Sequence, residues 1–231
     1  FNTDSTLSRS DLDALYSEDA LLHTENGIHI QREHAEFDER GGITLTVNLD
    51  QSIVGYKCRP SGGTILDFRN FTHDPSDFFE AIPRPKNGHL ILRRDEFYVL
   101  STLECLRVPP AFACEMVAYD PSKGEYRSHY AGFIDPGWGY GQNGELPAAA
   151  LVLEMLLQDN DVILRHGQPV CKVVFERLAE PADRIYGTGE LKSNYALQRG
   201  PRLSKHFHMA PEQRDTGIRI DAVTASHLVR G

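Results

Sequence analysis

The sequence predicts an all-β protein, a compact barrel or distorted jelly roll preceded by a short N-terminal helix. Three features predict it. After residue 25 the apolar residues gather in short runs rich in β-branched and aromatic side chains. Turn residues such as NGE, QDND and HGQP cut these runs. Few segments beyond residue 25 have the length and period of a long helix.

The elements follow in order. Residues 5–22, TLSRSDLDALYSEDALLH, predict a helix, because Leu7, Leu12, Leu15 and Leu22 recur at near-helical spacing and Ser10 with Asp13 could form an N-terminal cap. ITLTVNL (43–49) alternates as a strand does, and HLILRR (89–94) and FYVLSTLECLRV (97–108) carry strand-forming residues. ALVLEMLL (150–157), DVILRHG (161–167) and VCKVVFERL (170–178) are short apolar runs. In 146–158, LPAAALVLEMLLQ, Ala, Leu and Met favour helix, so helix and strand compete there. Residues 59–88 are rich in Pro, Gly and Asp and predict a long structured loop. The tail from about 208 is polar, aperiodic and expected to be mobile, with IRIDAV the one candidate for a short strand. These features divide the chain into a helical or linker segment (1–40), a β domain (41–207) and a tail (208–231), with no internal repeat.

Composition narrows the function. At 231 residues the chain can bury a sizeable core. A net charge of −9 argues against nucleic acid as a partner, because binding a phosphate backbone needs clustered Lys and Arg. A nucleotide, which needs only a few local cations and backbone N–H groups, stays open. Cys58, Cys105, Cys114 and Cys171 are widely spaced, which argues against a zinc site and a disulfide framework and for reduced thiols in a cytoplasm. No apolar run reaches the length of a membrane span and no signal peptide opens the chain, so no membrane partner is expected. The start, FNTDST without methionine, suggests a fragment or a processed chain.

Several catalytic motifs are absent or incomplete. His34-Ala35-Glu36 fits half of the zinc nucleobase deaminase signature, but the P-C-x-x-C half does not occur, which leaves a surface charge cluster. His206 and His208 form an H-x-H pair, but two ligands do not fill a zinc site, and a solvated tail is the simpler reading. There is no phosphate-binding G-x-x-x-x-G-K-[ST] loop and no G-x-S-x-G nucleophile turn.

The stretch AGFIDPGWGYG (131–141) stands out, because it places the only tryptophan, Trp138, in the most irregular segment. Taken alone it reads as a β-corner with a buried Trp. Followed by VLEM (152–155) and by GQPVCKVVFERLAEPADRIYGTGELKSNYALQRGP (167–201), it resembles the dCTP deaminase family, which has the trimeric dUTPase-like fold. The likeness covers roughly residues 89–202 and is dense and ordered. The entry region, with VGYKCRPSGGTILD and HDPSDFFEAI, is similar to the second half of tandem bacterial members, in which two dUTPase-like units share one polypeptide. On that resemblance the chain is a C-terminal portion, in a homotrimer or in a pseudo-symmetric assembly with a sister unit.

The resemblance implies a set of site residues. Glu154 is the catalytic proton shuttle, and it is the only acidic residue in the apolar run 146–157, where burial is expected to desolvate it and so help it exchange protons near neutrality. The residue-level alternative is an outward-facing Glu on a half-exposed strand. Ala131, Phe133, Asp135 and Trp138 lie on the segment that reads the base, with glycines allowing close approach. Asp135 would fix the turn or contact a ribose hydroxyl; alone it reads as a cap before Pro136. Tyr186, Lys192, Asn194, Tyr195 and Gln198 match a tail that closes over the nucleotide, hinged at Gly187 and Gly189, and Lys192 and Arg199 could reach phosphates.

One signature of the family breaks. G-R-S-S-L-A-R, which holds the triphosphate, is replaced by EMVAYDPSKGEYRSHY (115–130). Val117, Ala118, Tyr119 and Ser122 stand where its first arginine, two serines and second arginine belong, with Lys123 as a point-charge substitute, and Asn194 stands where the tail has Lys. Ser122, Lys123 and His129 remain candidates for phosphate or water contacts. The implied activity is hydrolytic deamination of dCTP to dUTP and ammonia. Mg²⁺ would be carried by the triphosphate and no zinc would be needed. Alternatives are a catalytically degenerate structural or regulatory unit, favoured by the lost arginines, and a dUTP diphosphatase.

Overall fold

The computed structural model describes residues 5–60, 62–119, 132–188 and 193–208. Among these residues it is a distorted jelly roll of antiparallel strands behind a single α-helix, as the alternation and turn chemistry predict. The helix α1 (Arg9–Glu18) is followed by strands β1 (Leu22–His23), β2 (Gly42–Thr46), β3 (Ile53–Cys58), β4 (Phe79–Pro83), β5 (His89–Leu92) and β6 (Phe97–Leu106). Then come β7 (Phe112–Ala118), β8 (Phe133–Ile134), β9 (Ala149–Leu156), β10 (Val162–Arg165) and β11 (Pro169–Arg177). Among the described residues no helix is long and apolar enough to cross a membrane.

The long strand β6 organises one sheet. One edge pairs with β3 near Val99 and with β1 near Leu106, and the other pairs with β9 from Phe97↔Leu156 to Leu106↔Ala149. β4 completes this sheet beside β3. A second sheet runs β2-β11-β7-β8, and β5 with β10 forms a two-stranded ribbon. The two larger sheets share one core, in which Ile43 and Leu45 of β2 and Val173 and Phe175 of β11 meet Leu100 of β6 and Leu153 and Met155 of β9. Leu12, Leu15 and Tyr16 of α1 belong to the same core.

Tertiary pairing decides several elements differently from the sequence pattern. Within the competing segment 146–158, Ala149–Leu156 is a strand, because backbone pairing with β6 overrides the helix preference of Ala, Leu and Met. Three of the longer strands escaped the pattern. The apolar pattern of β3 is interrupted by Gly55, where a Cβ would meet Val99 O and the Leu100 side chain. β4 lies inside the segment expected to be a loop, and β7 inside a segment read only for its lost motif.

The helix is shorter than the 5–22 expected, and Leu22 belongs to β1. Its cap is Ser8 rather than Ser10. The Asp11 N–H donates to Ser8 Oγ at 3.2 Å and the Ser8 N–H to Asp11 Oδ2 at 3.3 Å. Asp13 instead accepts from Arg9 and from Arg32, tying the helix to the short turn Arg32–His34. His34 and Glu36 are exposed, as a surface charge cluster requires.

Two predictions follow from this packing. Gly139 has φ +57°, and a Cβ there would lie 2.6 Å from Ala149 N and closer still to Leu106 O, both rigid backbone. Gly139→Ala should cost on the order of 3 kcal/mol in urea unfolding, from left-handed strain plus overpacking. Gly167 also has a left-handed φ, +72°, but nothing lies within 4 Å of a Cβ there. Gly167→Ala should therefore cost only about 1 kcal/mol, and equal costs would refute the packing argument.

The second prediction concerns His23. Burial, and then the charges of Arg107, His29 and Arg199, lower its pKa to about 4. The folded state therefore holds His23 neutral, while the unfolded chain binds a proton near pH 6.5. Stability from this group is full above about pH 6.5 and is lost as the pH falls toward about 4. His23→Asn should flatten that arm of a stability–pH profile measured by urea midpoints.

Candidate functional site

The turn after β8 is held where three backbones converge. The Gly137 N–H donates to Val108 O at 2.9 Å, and the Val108 N–H donates to Trp138 O at 2.8 Å. The Trp138 indole N–H donates to Ala149 O at 3.3 Å, at the start of β9. Its ring, 8 % exposed, lies 5.2 Å from that of Tyr186 at an interplanar angle of 33°. Trp138 thus packs beneath the turn, and Gly137 and Gly139 serve the protein's own close packing: a Cβ at Gly137 would overlap Ile185. Of the glycines expected to allow close approach to a ligand, Gly132 lines the cavity, with Met116 alone among the described residues within 4 Å of a Cβ.

Beside this turn lies a cavity of about 430 Å³. β8 and its turn supply Phe133, Asp135 and Trp138, and β9 supplies Leu151, Val152 and Glu154. β6 adds Phe97 and Val99, and the chain beyond β11 adds Tyr186, Tyr195, Gln198, Arg202, Ser204 and Phe207. A second cleft of about 560 Å³ adjoins it, sharing Asp135, Tyr186, Tyr195 and Ser204 and adding Arg184, Ser193, Asn194 and Lys205.

The chain beyond β11 is stitched down by specific bonds. The Tyr186 N–H donates to Pro136 O at 3.2 Å, and the Ser193 hydroxyl donates to the Tyr186 hydroxyl and accepts the Tyr195 N–H at 3.0 Å. Gln198 is 3 % exposed, and its side-chain amide donates to Ala150 O at 2.7 Å. Its Oε1 is buried and has no partner among the described residues, so an acceptor remains in the cavity wall.

Residues 204–208 are held from the other side by the segment between β3 and β4. The His73 N–H donates to His206 O at 3.1 Å, and the His208 N–H to His73 O at 2.8 Å. The His206 ring stacks on Phe71 at 5.0 Å, and its Nδ1 bonds Ser204 Oγ at 2.7 Å. His206 is therefore a half-buried packing residue, not part of a solvated tail.

The structure brings Phe133, Asp135, Trp138, Glu154, Tyr186, Tyr195 and Gln198 to one cavity, and puts Asn194 in the adjoining cleft with its amide on Leu203 O at 3.1 Å. Two expectations need correction. Glu154 is exposed, because alternation along β9 sends Leu153 and Met155 to the core and turns Glu154 outward at the cavity rim. Arg199 is 5 % exposed, donates to Pro147 O at 2.6 Å and lines neither cavity. The Phe133 ring is 65 % exposed, so this residue meets the cavity from its rim.

Ala131, Ser122, Lys123, His129, Lys192 and Gly189, with the tail carrying IRIDAV, lie outside the described residues. Val117 and Ala118 end β7 and line neither cavity. Arg202, Ser204 and Phe207 were missed, since no periodicity marks them; the parallel bridge His73↔Phe207 that fixes them is long-range.

Burial raises the Asp135 carboxyl above its ordinary value, and no side-chain partner among the described residues offsets it. Burial likewise raises the Tyr186 hydroxyl, against a smaller opposing effect of the Ser193 hydrogen bond. Apolar walls, several aromatic rings, an unpaired amide oxygen and two carboxylates suit a flat polar ring whose protons can be exchanged.

A family model described as "2'-deoxycytidine 5'-triphosphate deaminase (DCD), C-terminal domain" matches residues 9–207. The chain is 30 % identical over 151 residues to a dCTP deaminase, dUMP-forming, of Corynebacterium jeikeium, covering 62 % of this chain and 76 % of that one. It is 29 % identical over 167 residues to the protein so named in Nocardia farcinica, covering 69 % and 78 %. Among solved structures it is similar to the 2'-deoxycytidine 5'-triphosphate deaminase of Agrobacterium tumefaciens, with a TM-score of 0.65 and 34 % identity. That likeness covers 80 % of this chain and 52 % of the other, so the chain spans about half the length of that protein.

Asp135 yields a prediction. An acid whose pKa is raised by folding binds its proton more tightly in the native state, so it opposes folding once it ionises. Asp135→Asn should raise the urea midpoint at pH 7, and the advantage should vanish below about pH 4, where both states are protonated. A variant less stable than the parent at pH 7 would refute the absence of a compensating partner.

Proposed function

The chain belongs to the family of 2'-deoxycytidine 5'-triphosphate deaminase C-terminal domains, and from that premise we propose that it binds dCTP in the cavity beside Trp138 and deaminates it in the cytoplasm to dUTP and ammonia. The observation that carries this reading is that Asp135, Trp138, Glu154, Tyr186, Tyr195 and Gln198, distant in sequence, line one cavity of about 430 Å³. The base lies against the Trp138 and Tyr186 rings, and the free Gln198 Oε1 accepts from its exocyclic amine. Glu154 takes a proton from water as the oxygen attacks C4 and delivers it to N3; it then carries the remaining hydroxyl proton to the amine, so the C4–N bond breaks, ammonia departs and C4=O forms. Water is consumed and ammonia released, so the step balances. Glu154 does the proton work without zinc, and Mg²⁺ enters with the triphosphate.

The exposure of Glu154 and Phe133 favours a site finished by another subunit, in a homotrimer or with a sister unit. The same exposure, with Val117 and Ala118 in place of phosphate-binding side chains, favours a second reading for the chain alone: a degenerate unit that supports an assembly. The relatives named dUMP-forming point to a third outcome, in which diphosphate is also lost. A dUTP diphosphatase would release diphosphate without ammonia.

Incubation with dCTP and with dUTP, with ammonia and pyrophosphate assayed separately, distinguishes these. Glu154→Gln should lower ammonia release by about 10²–10⁴-fold while leaving dCTP binding intact. Ammonia release independent of Glu154 would refute the catalytic assignment. Light scattering should report an oligomer, and a clean monomer at micromolar concentration would refute a site shared between subunits.

A further inference from the structure

The cleft that adjoins the main cavity has a chemistry of its own. Its walls come from the segment 182–186 and from the chain between Ser193 and Lys205. Among the described residues lining the two cavities, the cations are Arg184, Arg202 and Lys205. Arg184 is exposed and has no hydrogen bond or ion pair among the described residues. Lys205 is exposed, and among the described residues its ammonium is met only by the Phe71 ring at 5.6 Å. The neighbouring polar groups are already engaged. Ser204 bonds His206, Ser193 bonds Tyr186, and Asn194 bonds Leu203. The unspent charged donors of the cleft are thus the two cations.

We propose that this cleft is a polyphosphate-binding subsite, with Arg184 and Lys205 as its charged donors. The proposal rests on the pyrimidine nucleotide reading of the main cavity and adds the place and the residues that take the other end of the ligand. Continuity supports it, because Asp135, Tyr186, Tyr195 and Ser204 line both spaces, and a ligand lying in one reaches the other. Charge gives the direction. The Asp135 carboxylate stands at the junction and Glu154 at the far rim, and both repel phosphate. The base end therefore takes the cavity with the carboxylates, and the polyphosphate takes the end with Arg184 and Lys205. Arg184 offers a planar fork that can bind two phosphate oxygens, and Lys205 a point charge. The packing of 71–73 on 206–208 fixes the backbone that carries Lys205, so the insertion between β3 and β4 sets the position of a ligand cation.

The test is calorimetric titration of the whole chain with dCTP, with 2'-deoxycytidine and with inorganic tripolyphosphate. The parent is compared with Arg184→Ser/Lys205→Ser and with Arg184→Lys/Lys205→Arg. Both residues are exposed, and matched melting curves verify that the variants fold. The serine pair should weaken dCTP and tripolyphosphate by roughly tenfold per cation removed, with deoxycytidine changed by less than about twofold. The charge-keeping pair should recover most of the dCTP loss, and the salt dependence of dCTP binding should shrink in the serine pair. An unchanged dCTP affinity, or equal losses for dCTP and deoxycytidine, would overturn the subsite while leaving the nucleotide reading in place. If the parent binds neither dCTP nor deoxycytidine, the nucleotide reading fails, and tripolyphosphate decides alone. Binding that depends on Arg184 and Lys205 upholds the subsite, and no binding overturns it.

Discussion

The contact on which the site depends is the approach of the Gly137–Gly139 turn to the ends of β6 and β9. No side chain fits between Gly139 and the backbone of Leu106 and Ala149. Because that gap is closed, the Trp138 indole reaches the Ala149 carbonyl, and the turn is locked to the strand that carries Glu154. Asp135 leads into the same turn, whose Trp138 N–H donates to its carbonyl at 3.2 Å. One steric constraint thereby sets the Trp138 ring of the cavity wall, one carboxylate and the strand bearing the other.

From that anchor the rest of the cavity is assembled by backbone bonds from distant parts of the chain. Gln198 joins the start of β9 through both its own backbone and its side-chain amide, since the Ala150 N–H donates to Gln198 O at 3.0 Å. Tyr186 is tied to Pro136 by its N–H and to Ser193 by its hydroxyl. The final described residues are pinned by a strap, residues 71–73, that arrives from between β3 and β4. A cavity built this way keeps aromatic groups in place while leaving some polar atoms unsatisfied, and such atoms are where a ligand gains most. The burial that raises the Asp135 carboxyl belongs to the same balance, in which stability is given up to hold a carboxyl group against the cavity.

Much of this was legible in the sequence. Alternation and turn residues specify an all-β body, because strand side chains repeat with period two whatever their partners. The ordered string from AGFIDPGWGYG to ALQRGP specifies the family, and seven of its predicted residues, Phe133, Asp135, Trp138, Glu154, Tyr186, Tyr195 and Gln198, meet at one cavity. Local pattern also marked the one ambiguous segment, 146–158, though it could not resolve it.

Tertiary structure alone decided the rest, because each remaining feature rests on a contact between residues far apart in the chain. β9 is a strand because β6 lies beside it, and its alternation turns Glu154 outward at the rim. Arg199, free to bind phosphate as far as sequence could say, is buried on the Pro147 carbonyl. Arg184 and Lys205 carry no motif, and they line one cleft only because the chain after β11 folds back across the turn at Pro136 and is clamped by His73. A sequence pattern reports the period of a segment and the company of its neighbours. Which distant backbone closes over it is set by sterics and hydrogen bonding that exist only once the fold has formed.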